Sequence, residues 1–374
     1  MKVATLFSGI GAFEWALHRL GIDHEIVFAC DNGEREINYD VEREMQIVRS
    51  LATIKEKREY VERLYRSKTS SKNYVQESYL ANYRQYLRDN NFFQDVALLD
   101  GRDFQGEIDL LVGGSPCQSF SSVGFQAGLE DARGTLFYQY ARLIQEVQPR
   151  VFIYENVRNL LNHDSGRTWQ VIKHIFDNLG YDYRFGVLNA SDYNIPQTRR
   201  RLFVIGCKNG FPKNYQFPPQ SMPLNFEMKD FCIEHCGFGH FAFNVDGSLN
   251  VDPVPGVIDP KYVLTPKLYN YVMCGGTSNF YTRPIINKKI ARTLLKTMGN
   301  RHRAGVDNYV SFDGTEDLGS VRMLSEREAH RLMGFTDDYK IVVSRAQAYK
   351  QAGNSIVVDV LMSIIKEITD KGIL

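Results

Sequence analysis

The 374-residue sequence has few of the features that mark a membrane or exported protein. Its uninterrupted apolar runs are short, whereas a helix that crosses a bilayer needs about 20 apolar residues. No small-residue cleavage site follows the N-terminal stretch Met1–Phe7. We therefore expect neither a signal peptide nor a membrane partner.

An excess of charge of one sign is also lacking. The chain has 45 basic and 44 acidic residues, a net charge of +1, so global charge argues neither for nor against a nucleic-acid partner. The segment Arg283–Arg303 is a local exception, with basic residues and no acidic one, and could meet phosphate. The six cysteines lack the spacing of a disulfide scaffold, which favours a reducing, cytoplasmic setting.

Short apolar runs alternate with helical patterns in the first half of the chain. The predicted strands are Val3–Phe7, Glu25–Cys30, Asp109–Val112, Val151–Tyr154 and Leu202–Ile205. The predicted helices are Ala12–Leu20, Thr135–Val147, Thr168–Leu179 and, near the C-terminus, Val357–Ile368. Such alternation predicts an α/β fold with a doubly wound sheet.

Two regions depart from this alternation and suggest the domain boundaries. Residues 34–98 carry apolar side chains at helical spacing, and we interpret them as a packed helical insertion rather than a DNA-contacting one. Prolines crowd the region after residue 208, which is typical of loops and short strands. We expect a catalytic domain over 1–207, a smaller irregular domain over 208–337, and a returning segment over 338–374.

A glycine-containing loop follows the first predicted strand. Gly9 and Gly11 would let the backbone approach a ligand closely at a helix N-terminus. The dinucleotide fingerprint has a third glycine where this chain has Glu14. This difference argues against a nicotinamide cofactor and leaves an adenosyl ligand possible. Asp31, at the end of the second strand, could accept hydrogen bonds from ribose hydroxyls. A structural tight turn is the alternative.

Three further motifs sit at strand ends, where ligands bind in such sheets. Cys117 lies in a Gly/Ser-rich loop after a buried strand and suits a nucleophile better than a core thiol. Glu155 ends another strand and could transfer a proton opposite the thiol. Arg199–Arg201 precede a strand and could bind phosphate or carbonyl groups. A buried thiol, a solvated glutamate and a solvated charge cluster are the alternatives.

Taken together, these motifs resemble those of DNA cytosine-5 methyltransferases in identity and order. The shared motifs are Pro116-Cys117-Gln118, Glu155-Asn156-Val157, Gln197-x-Arg199-x-Arg201, Arg331-Leu332-Met333-Gly334-Phe335 and Gly353-Asn354-Ser355. The resemblance implies a Rossmann-like methyltransferase domain that uses S-adenosylmethionine, with a target-recognition domain in the irregular region. It also implies that the target cytosine of double-stranded DNA is flipped out of the helix.

The resemblance assigns roles to individual residues. Cys117 would add to C6 of cytosine, and Glu155, with a pKa raised by burial, would bond the N3 edge. Arg199 and Arg201 would hold the base. The loop Gln118–Asp131 would close over DNA as a lid. The implied cofactor contacts are Phe7, Gly9, Gly11, Asp31, Asp103, Leu136, Asn354 and Ser355. The family usually has Glu at the position of Asp31, and the insertion blurs the register before Asp103.

The biological role rests on analogy with the family. The N-terminal motif starts at once, as in bacterial or phage enzymes, so we expect a monomeric modification enzyme with a companion restriction endonuclease as a functional partner. Cys232, Cys236 and nearby histidines lack the paired spacing of zinc sites, and we expect no metal. The alternatives are an RNA (tRNA) cytosine-5 methyltransferase, a catalytically inactive DNA-binding module, and an orphan or phage methyltransferase.

Overall fold

The structure is a computed structural model that describes residues 1–116, 136–251, 254–277, 280–281, 284–299 and 305–374. Cys117 and the expected lid, Gln118–Asp131, lie outside the described residues, as do Arg283, Arg301 and Arg303. The chain forms two compact units. The first comprises residues 1–188, 200–220 and 362–374, and the second comprises residues 189–199 and 221–361.

The described part of the first unit contains a seven-stranded, mostly parallel sheet. Its strands are β1 Lys2–Leu6, β2 Glu25–Cys30, β3 Phe92–Phe93, β4 Leu110–Gly113, β5 Val151–Val157, β6 Asp182–Asn189 and β7 Arg200–Cys207. Their order is β3-β2-β1-β4-β5-β7-β6, and β7 runs antiparallel to β5. The chain reverses its direction of winding between β1 and β4, which confirms the doubly wound α/β fold. Ligands of such sheets bind at the carboxyl ends of the strands near this reversal.

Helices flank this sheet. They are α1 Ala12–Arg19, α2 Val41–Ser50, α3 Ile54–Lys68, α4 Tyr74–Tyr83, α5 Leu136–Val147, α6 Arg167–Asp177 and, from the second unit into the first, α11 Val358–Asp370. The ends of α5 and α6 lie within two residues of the predicted ones. Helix α5 buries Phe137, Tyr140 and Ile144, which recur at helical spacing, against the sheet. Phe152 of β5 stacks on Phe176 of α6, with ring centroids 5.4 Å apart.

The insertion is helical and packed, as predicted. Met45 and Val48 of α2 and Val61 and Tyr65 of α3 form a small apolar core with Leu98. Helix α3 begins with a capping box in which Thr53 and Glu56 bind each other's backbone amides. The sequence pattern does not predict α3 separately, because nine of its 15 residues are charged and its apolar side chains are few.

The second unit is irregular, as expected for the region after residue 208. Its described elements are the strands β8 Ala242–Phe243, β9 Leu249–Asn250, β10 Gly276–Thr277, β11 Phe280–Tyr281, β12 Tyr309–Ser311 and β13 Val321–Met323, and the helices α7 Ile233–Cys236, α8 Pro266–Met273, α9 Glu326–Arg331 and α10 Arg345–Asn354. The strands form three antiparallel pairs. The unit also takes in residues 189–199 and 338–361, which the expected boundaries gave to the catalytic domain and the returning segment.

Buried charge organises this second unit. Arg322 is fully buried and binds the carboxylates of Glu234 and Glu328. Glu328 also accepts the amide of Ser325 and so completes a capping box at the start of α9. Because a buried charge is costly unless it is paired and hydrogen-bonded, these residues must pack together.

No helix in the described residues is long and apolar enough to cross a membrane.

Burial of His330 on α9 predicts how the stability of the second unit depends on pH. Burial lowers the pKa of His330 from 6.5 to about 4, and its Nδ1 is 2.7 Å from the carbonyl oxygen of Glu326. The His330 imidazole binds a proton more readily in the unfolded chain than in the folded one. The free energy of unfolding therefore falls as the pH drops from about 6.5 towards 4. The loss is at most about 3.5 kcal/mol.

We expect urea unfolding at pH 7.5 and pH 5.0 to show a smaller difference for His330→Phe than for the unmodified chain. His240→Gln changes an exposed histidine and serves as the control. An unchanged pH dependence in His330→Phe would contradict this prediction.

Candidate active site

The carboxyl ends of β4 and β5 are joined by side-chain hydrogen bonds. The Asn156 side-chain amide nitrogen donates to the carbonyl oxygen of Ser115 over 2.9 Å and to the hydroxyl of Tyr154 over 2.7 Å. The hydroxyls of Tyr154 and Ser115 are 2.9 Å apart. All three residues are buried, so these bonds are shielded from water. They fix the backbone two residues before Cys117.

Glu155 lies directly over this backbone. A Cβ atom on Gly114 would come within 2.9 Å of Glu155 Oε2, so the carboxylate can occupy this place only because residue 114 is glycine. The Nε of Arg201, on the neighbouring strand β7, is 3.2 Å from Glu155 Oε1. Glu155 and Arg201 keep 14% and 17% of their side-chain surface exposed, so a ligand can still reach both. The structure therefore brings these two predicted residues together.

Arg199 is placed differently from Arg201. Its guanidinium is buried within the second unit and donates to the carbonyl oxygens of Leu294, Gly353 and Ser355 over 2.7–2.9 Å. This geometry does not favour the expected role of Arg199 in holding the base, because its terminal nitrogens already bind backbone carbonyls. Arg199 instead fixes the Gly353–Ser355 segment.

The glycine loop after β1 is bound to the end of β2. Phe7 and Gly9 have φ values of 53° and 54°, and the amide of Gly9 donates to Asp31 Oδ2 over 2.9 Å. The amide of Gly33 donates to Asp31 Oδ1 over 2.7 Å. Burial raises the pKa of the Asp31 carboxyl, while the two amides oppose that rise. The structure thus brings Phe7, Gly9 and Asp31 to one edge of the sheet, as expected.

The insertion supports this loop. Gly11 has a φ of 76°, and a Cβ atom there would lie 2.1 Å from the ring of Tyr83 on α4. The Tyr83 hydroxyl donates to the carbonyl oxygen of Gly11 over 2.7 Å. Tyr79, one turn earlier, donates to the buried carboxylate of Glu14 on α1. Glu14, which replaces the third glycine of the dinucleotide fingerprint, is therefore a buried packing residue.

The structure does not place Asp103 at this edge, which corrects the expectation for that residue. Its carboxylate is 2.7 Å from the Nζ of Lys57 on α3. Three residues later, the amide of Gly106 donates to the carbonyl oxygen of Val147 in the last turn of α5. That turn leads to the start of β5, so Asp103 faces the amino ends of the strands. The insertion before Asp103 obscures the spacing of the motif, so the sequence pointed to the wrong aspartate.

Asp95 is the acidic residue that does follow β3 at the carboxyl edge. The backbone amide of Asp31 donates to the carbonyl oxygen of Phe93, two residues before Asp95. Sequence reasoning missed Asp95 because β3 has only two residues. An Asp two residues after the pair Phe92-Phe93 was the available signal.

The remaining expected cofactor residues are divided between the units. Leu136 begins α5 in the first unit and packs against its core. Asn354 ends α10 in the second unit and is exposed, and Ser355 follows it. A Cβ atom on Gly353 would lie 2.3 Å from the backbone of Lys296, so only glycine fits there.

The described part of the basic segment is partly engaged within the second unit. Lys289 pairs with Glu227 over 2.8 Å, and the guanidinium of Arg292 donates to the carbonyl oxygens of Ile285 and Asp307. Lys289 is 81% exposed, so its ammonium can also reach a phosphate.

The cysteines considered as zinc ligands lie in buried protein surroundings. The Nη1 of Arg331 is 2.8 Å from the Sγ of Cys236, and burial raises the pKa of that thiol to about 12. Cys232 lies with Glu234 and Glu328, whose carboxylates bind Arg322. A metal ion there would have to displace that guanidinium.

Comparison with known proteins establishes the family. Residues 52–237 and 261–370 match the C-5 cytosine-specific DNA methylases. The chain belongs to this family, and its enzyme class is DNA (cytosine-5)-methyltransferase.

Individual relatives agree with this assignment. The chain is 37% identical to the type II methyltransferase M.HhaI of Haemophilus parahaemolyticus over 257 residues, which are 68% of this chain and 74% of M.HhaI. It is also 37% identical to the orphan methyltransferase M.Rho11sI of Bacillus phage rho11s, over 90% of this chain and 62% of that protein. In fold it is similar to the S. pombe Dnmt2 methyltransferase, with a TM-score of 0.63, 17% identity and coverage of 100% and 99% of the two chains.

Gly11→Ala is predicted to disturb the glycine loop more than Gly9→Ala. Both substitutions place a side chain at positive φ, which costs about 1 kcal/mol or more. A methyl group on Gly9 meets only the carbonyl oxygen of Phe7 at 3.9 Å, whereas one on Gly11 must also displace the Tyr83 ring.

We expect thermal unfolding to give a lower Tm for Gly11→Ala than for Gly9→Ala. Gly11→Ala should lower the Tm less in a Tyr83→Ala background than in the unmodified chain, because the ring that it displaces is then absent. Equal Tm values for the two glycine variants would contradict the close approach of Tyr83.

The Glu155–Arg201 pair predicts non-additive losses of activity. We expect Glu155→Gln and Arg201→Gln each to lower the single-turnover rate constant of methyl transfer about 10²-fold or more, the usual contribution of a positioned proton-transfer group. The double variant should be little worse than either single variant, because each residue needs the other. Single-turnover methyl transfer measures these rates.

Arg200→Gln is the control for this pair, since Arg200 is an exposed neighbour on the same strand. Additive losses in the double variant would mean that the ion pair does not act as a unit.

Proposed function

We propose that this chain transfers a methyl group from S-adenosylmethionine to C5 of a cytosine in a specific sequence of double-stranded DNA. The observation that carries the proposal is the Glu155 carboxylate, paired with Arg201 and lying over Gly114, three residues before Cys117. This puts a proton donor or acceptor and a fixed cation beside the segment that bears the nucleophile.

The residues of the first unit fit an adenosyl group. Gly9 leaves no side chain between the backbone and a ligand, whereas Gly11 makes room for the Tyr83 ring that supports the loop. Asp31 offers a carboxylate to ribose hydroxyls. We assign the acidic position beyond the ribose to Asp95 rather than Asp103. Phe7 and Leu136 complete the contacts proposed for this unit. S-adenosylmethionine, when bound, supplies an electrophilic methyl group.

The chain's own residues then account for the chemistry at the base. The Cys117 thiolate attacks C6 and forms a carbon–sulfur bond, while Glu155 donates a proton to N3 and Arg201 holds Glu155 and the base. The electrons of the C5–C6 double bond shift to C5, which becomes nucleophilic. C5 takes the methyl group as its bond to the donor sulfur breaks, and S-adenosylhomocysteine is the leaving group. A base then removes the C5 proton, the C5–C6 double bond re-forms, and the carbon–sulfur bond breaks to release the Cys117 thiolate. N3 returns its proton to Glu155. Arg199 serves as a positioning residue for the Gly353–Ser355 segment.

The second unit is proposed to recognise the DNA sequence. It holds the described part of the basic segment, where Lys289 is exposed. We also propose that the enzyme acts in the cytoplasm as a monomer and as the modification partner of a restriction endonuclease. The type II relative M.HhaI supports this role, whereas the orphan relative M.Rho11sI supports one without an endonuclease.

The test is expression in a host that lacks cytosine methylation, followed by bisulfite sequencing of the host genome. We expect protected cytosines within one short motif, and none when Cys117→Ser is expressed at the same level. An unmethylated genome with intact, folded protein would contradict the DNA substrate. That result would favour RNA as the substrate, which is then tested by transfer of a labelled methyl group to total RNA.

A further inference from the structure

The insertion reaches the carboxyl edge of the sheet with two tyrosine hydroxyls. Tyr39, just before α2, donates to Asp95 Oδ2 over 2.6 Å, and Tyr65 of α3 donates to the same oxygen over 2.7 Å. The amide of Ala97 donates to Asp95 Oδ1 over 2.9 Å. Tyr65 is 2% exposed and Asp95 is 9% exposed, so these bonds are formed largely out of water.

The direction of the adenosyl group follows from the strand order. The glycine loop lies at the end of β1, Asp31 at the end of β2, and Asp95 just beyond the end of β3, which is the next strand outward. A nucleoside whose ribose binds Asp31 therefore directs its base towards Asp95. A base with an exocyclic amino group needs an acceptor there, and a carboxylate offers about four acceptor positions. Donors among the described residues use three, which leaves one on Oδ1.

The insertion also holds the ribose end of this edge. Asn73, the N-cap of α4, donates to the carbonyl oxygen of Asp31 over 2.8 Å and to Gln94 Oε1 over 3.0 Å. The guanidinium of Arg35 lies 4.7 Å from the centroid of the Tyr65 ring and also binds the Gln94 side chain. The tyrosines and Asp31 thus belong to one connected network.

Both tyrosines remain hydrogen-bond donors at any working pH. Burial, together with the nearby charge of Asp95, raises the pKa of Tyr39 and of Tyr65 well above their usual range. A protonated phenol directed at Oδ2 holds the carboxylate in one rotation, so that Oδ1 keeps a constant direction.

We propose that the insertion is part of the cofactor pocket, and that Tyr39 and Tyr65 are positioning residues that orient Asp95 towards the amino group of the adenine base. The inference rests on the proposed function, because it takes the ligand to be S-adenosylmethionine. It gives the insertion a role in choosing the cofactor rather than in contacting DNA.

The test compares two ligands that differ at this amino group. Calorimetric titration of the full chain measures Kd for S-adenosylhomocysteine and for S-inosylhomocysteine, which has a carbonyl oxygen in place of the amino group. The variants are Tyr39→Phe, Tyr65→Phe and their combination. Tyr60→Phe is the control, since this residue lies on the same helix α3 and donates to Glu44 instead.

The unmodified chain should prefer the adenosyl ligand. Each hydroxyl removed should reduce that preference by about threefold to tenfold, the usual effect of one hydrogen bond, with inosyl affinity nearly unchanged. Tyr60→Phe should keep the full preference. Tyr39 is only half-buried, so Tyr39→Phe reports on the proposal even if the double variant does not fold.

Two results would contradict the inference. An undiminished preference in folded Tyr39→Phe and Tyr65→Phe, even with a lowered Tm, would mean that the tyrosines only stabilise the insertion. Failure of the unmodified chain to bind S-adenosylhomocysteine would instead overturn the proposed cofactor, and with it the role of the tyrosines.

Discussion

The side-chain amide of Asn156 is the constraint on which the rest of the site depends. Its nitrogen donates to Ser115 and Tyr154, and its oxygen accepts the amide of Val157, so one buried group binds the ends of two parallel strands. A buried amide left unpaired costs about 1–3 kcal/mol, and all these bonds must therefore form together. Their geometry sets the gap between β4 and β5 in which Glu155 lies over Gly114.

The carboxyl edge of the sheet around the glycine loop depends in the same way on residues far apart in the sequence. Tyr83 of α4 packs on Gly11, and Asn73 binds the backbone of Asp31. The glycine loop and the end of β2 are thus supported from outside the sheet by the insertion. Helices α2 and α3 have their own small core, yet their polar side chains bind Asp95, Asp100 and Asp103 of the sheet domain. The insertion is an integral part of the first unit.

Much of the sheet could be predicted from the sequence, because strands buried on both faces are continuous apolar runs such as Glu25–Cys30. The position of Glu155 and Arg201 at one edge of the sheet could be predicted, because their motifs sit at strand ends. The placement of Asp103 was wrong because β3 is too short to give a periodic signal, so no strand marked the residue that follows it. The position of Arg199 depends on carbonyl groups of Leu294 and Gly353, about 95 and 154 residues away, which no local pattern reveals.

The most direct test of the account is capture of the covalent intermediate. The purified chain would be incubated with S-adenosylmethionine and duplex DNA whose cytosines are replaced by 5-fluorocytosine. Fluorine takes the place of the C5 proton whose removal releases the enzyme, so the covalent intermediate cannot break down. The proposed mechanism predicts a stable protein–DNA adduct, mapped by mass spectrometry to Cys117 and carrying the transferred methyl group, and none with Cys117→Ser. Methylation of unmodified DNA without any adduct, or an adduct at another residue, would contradict it.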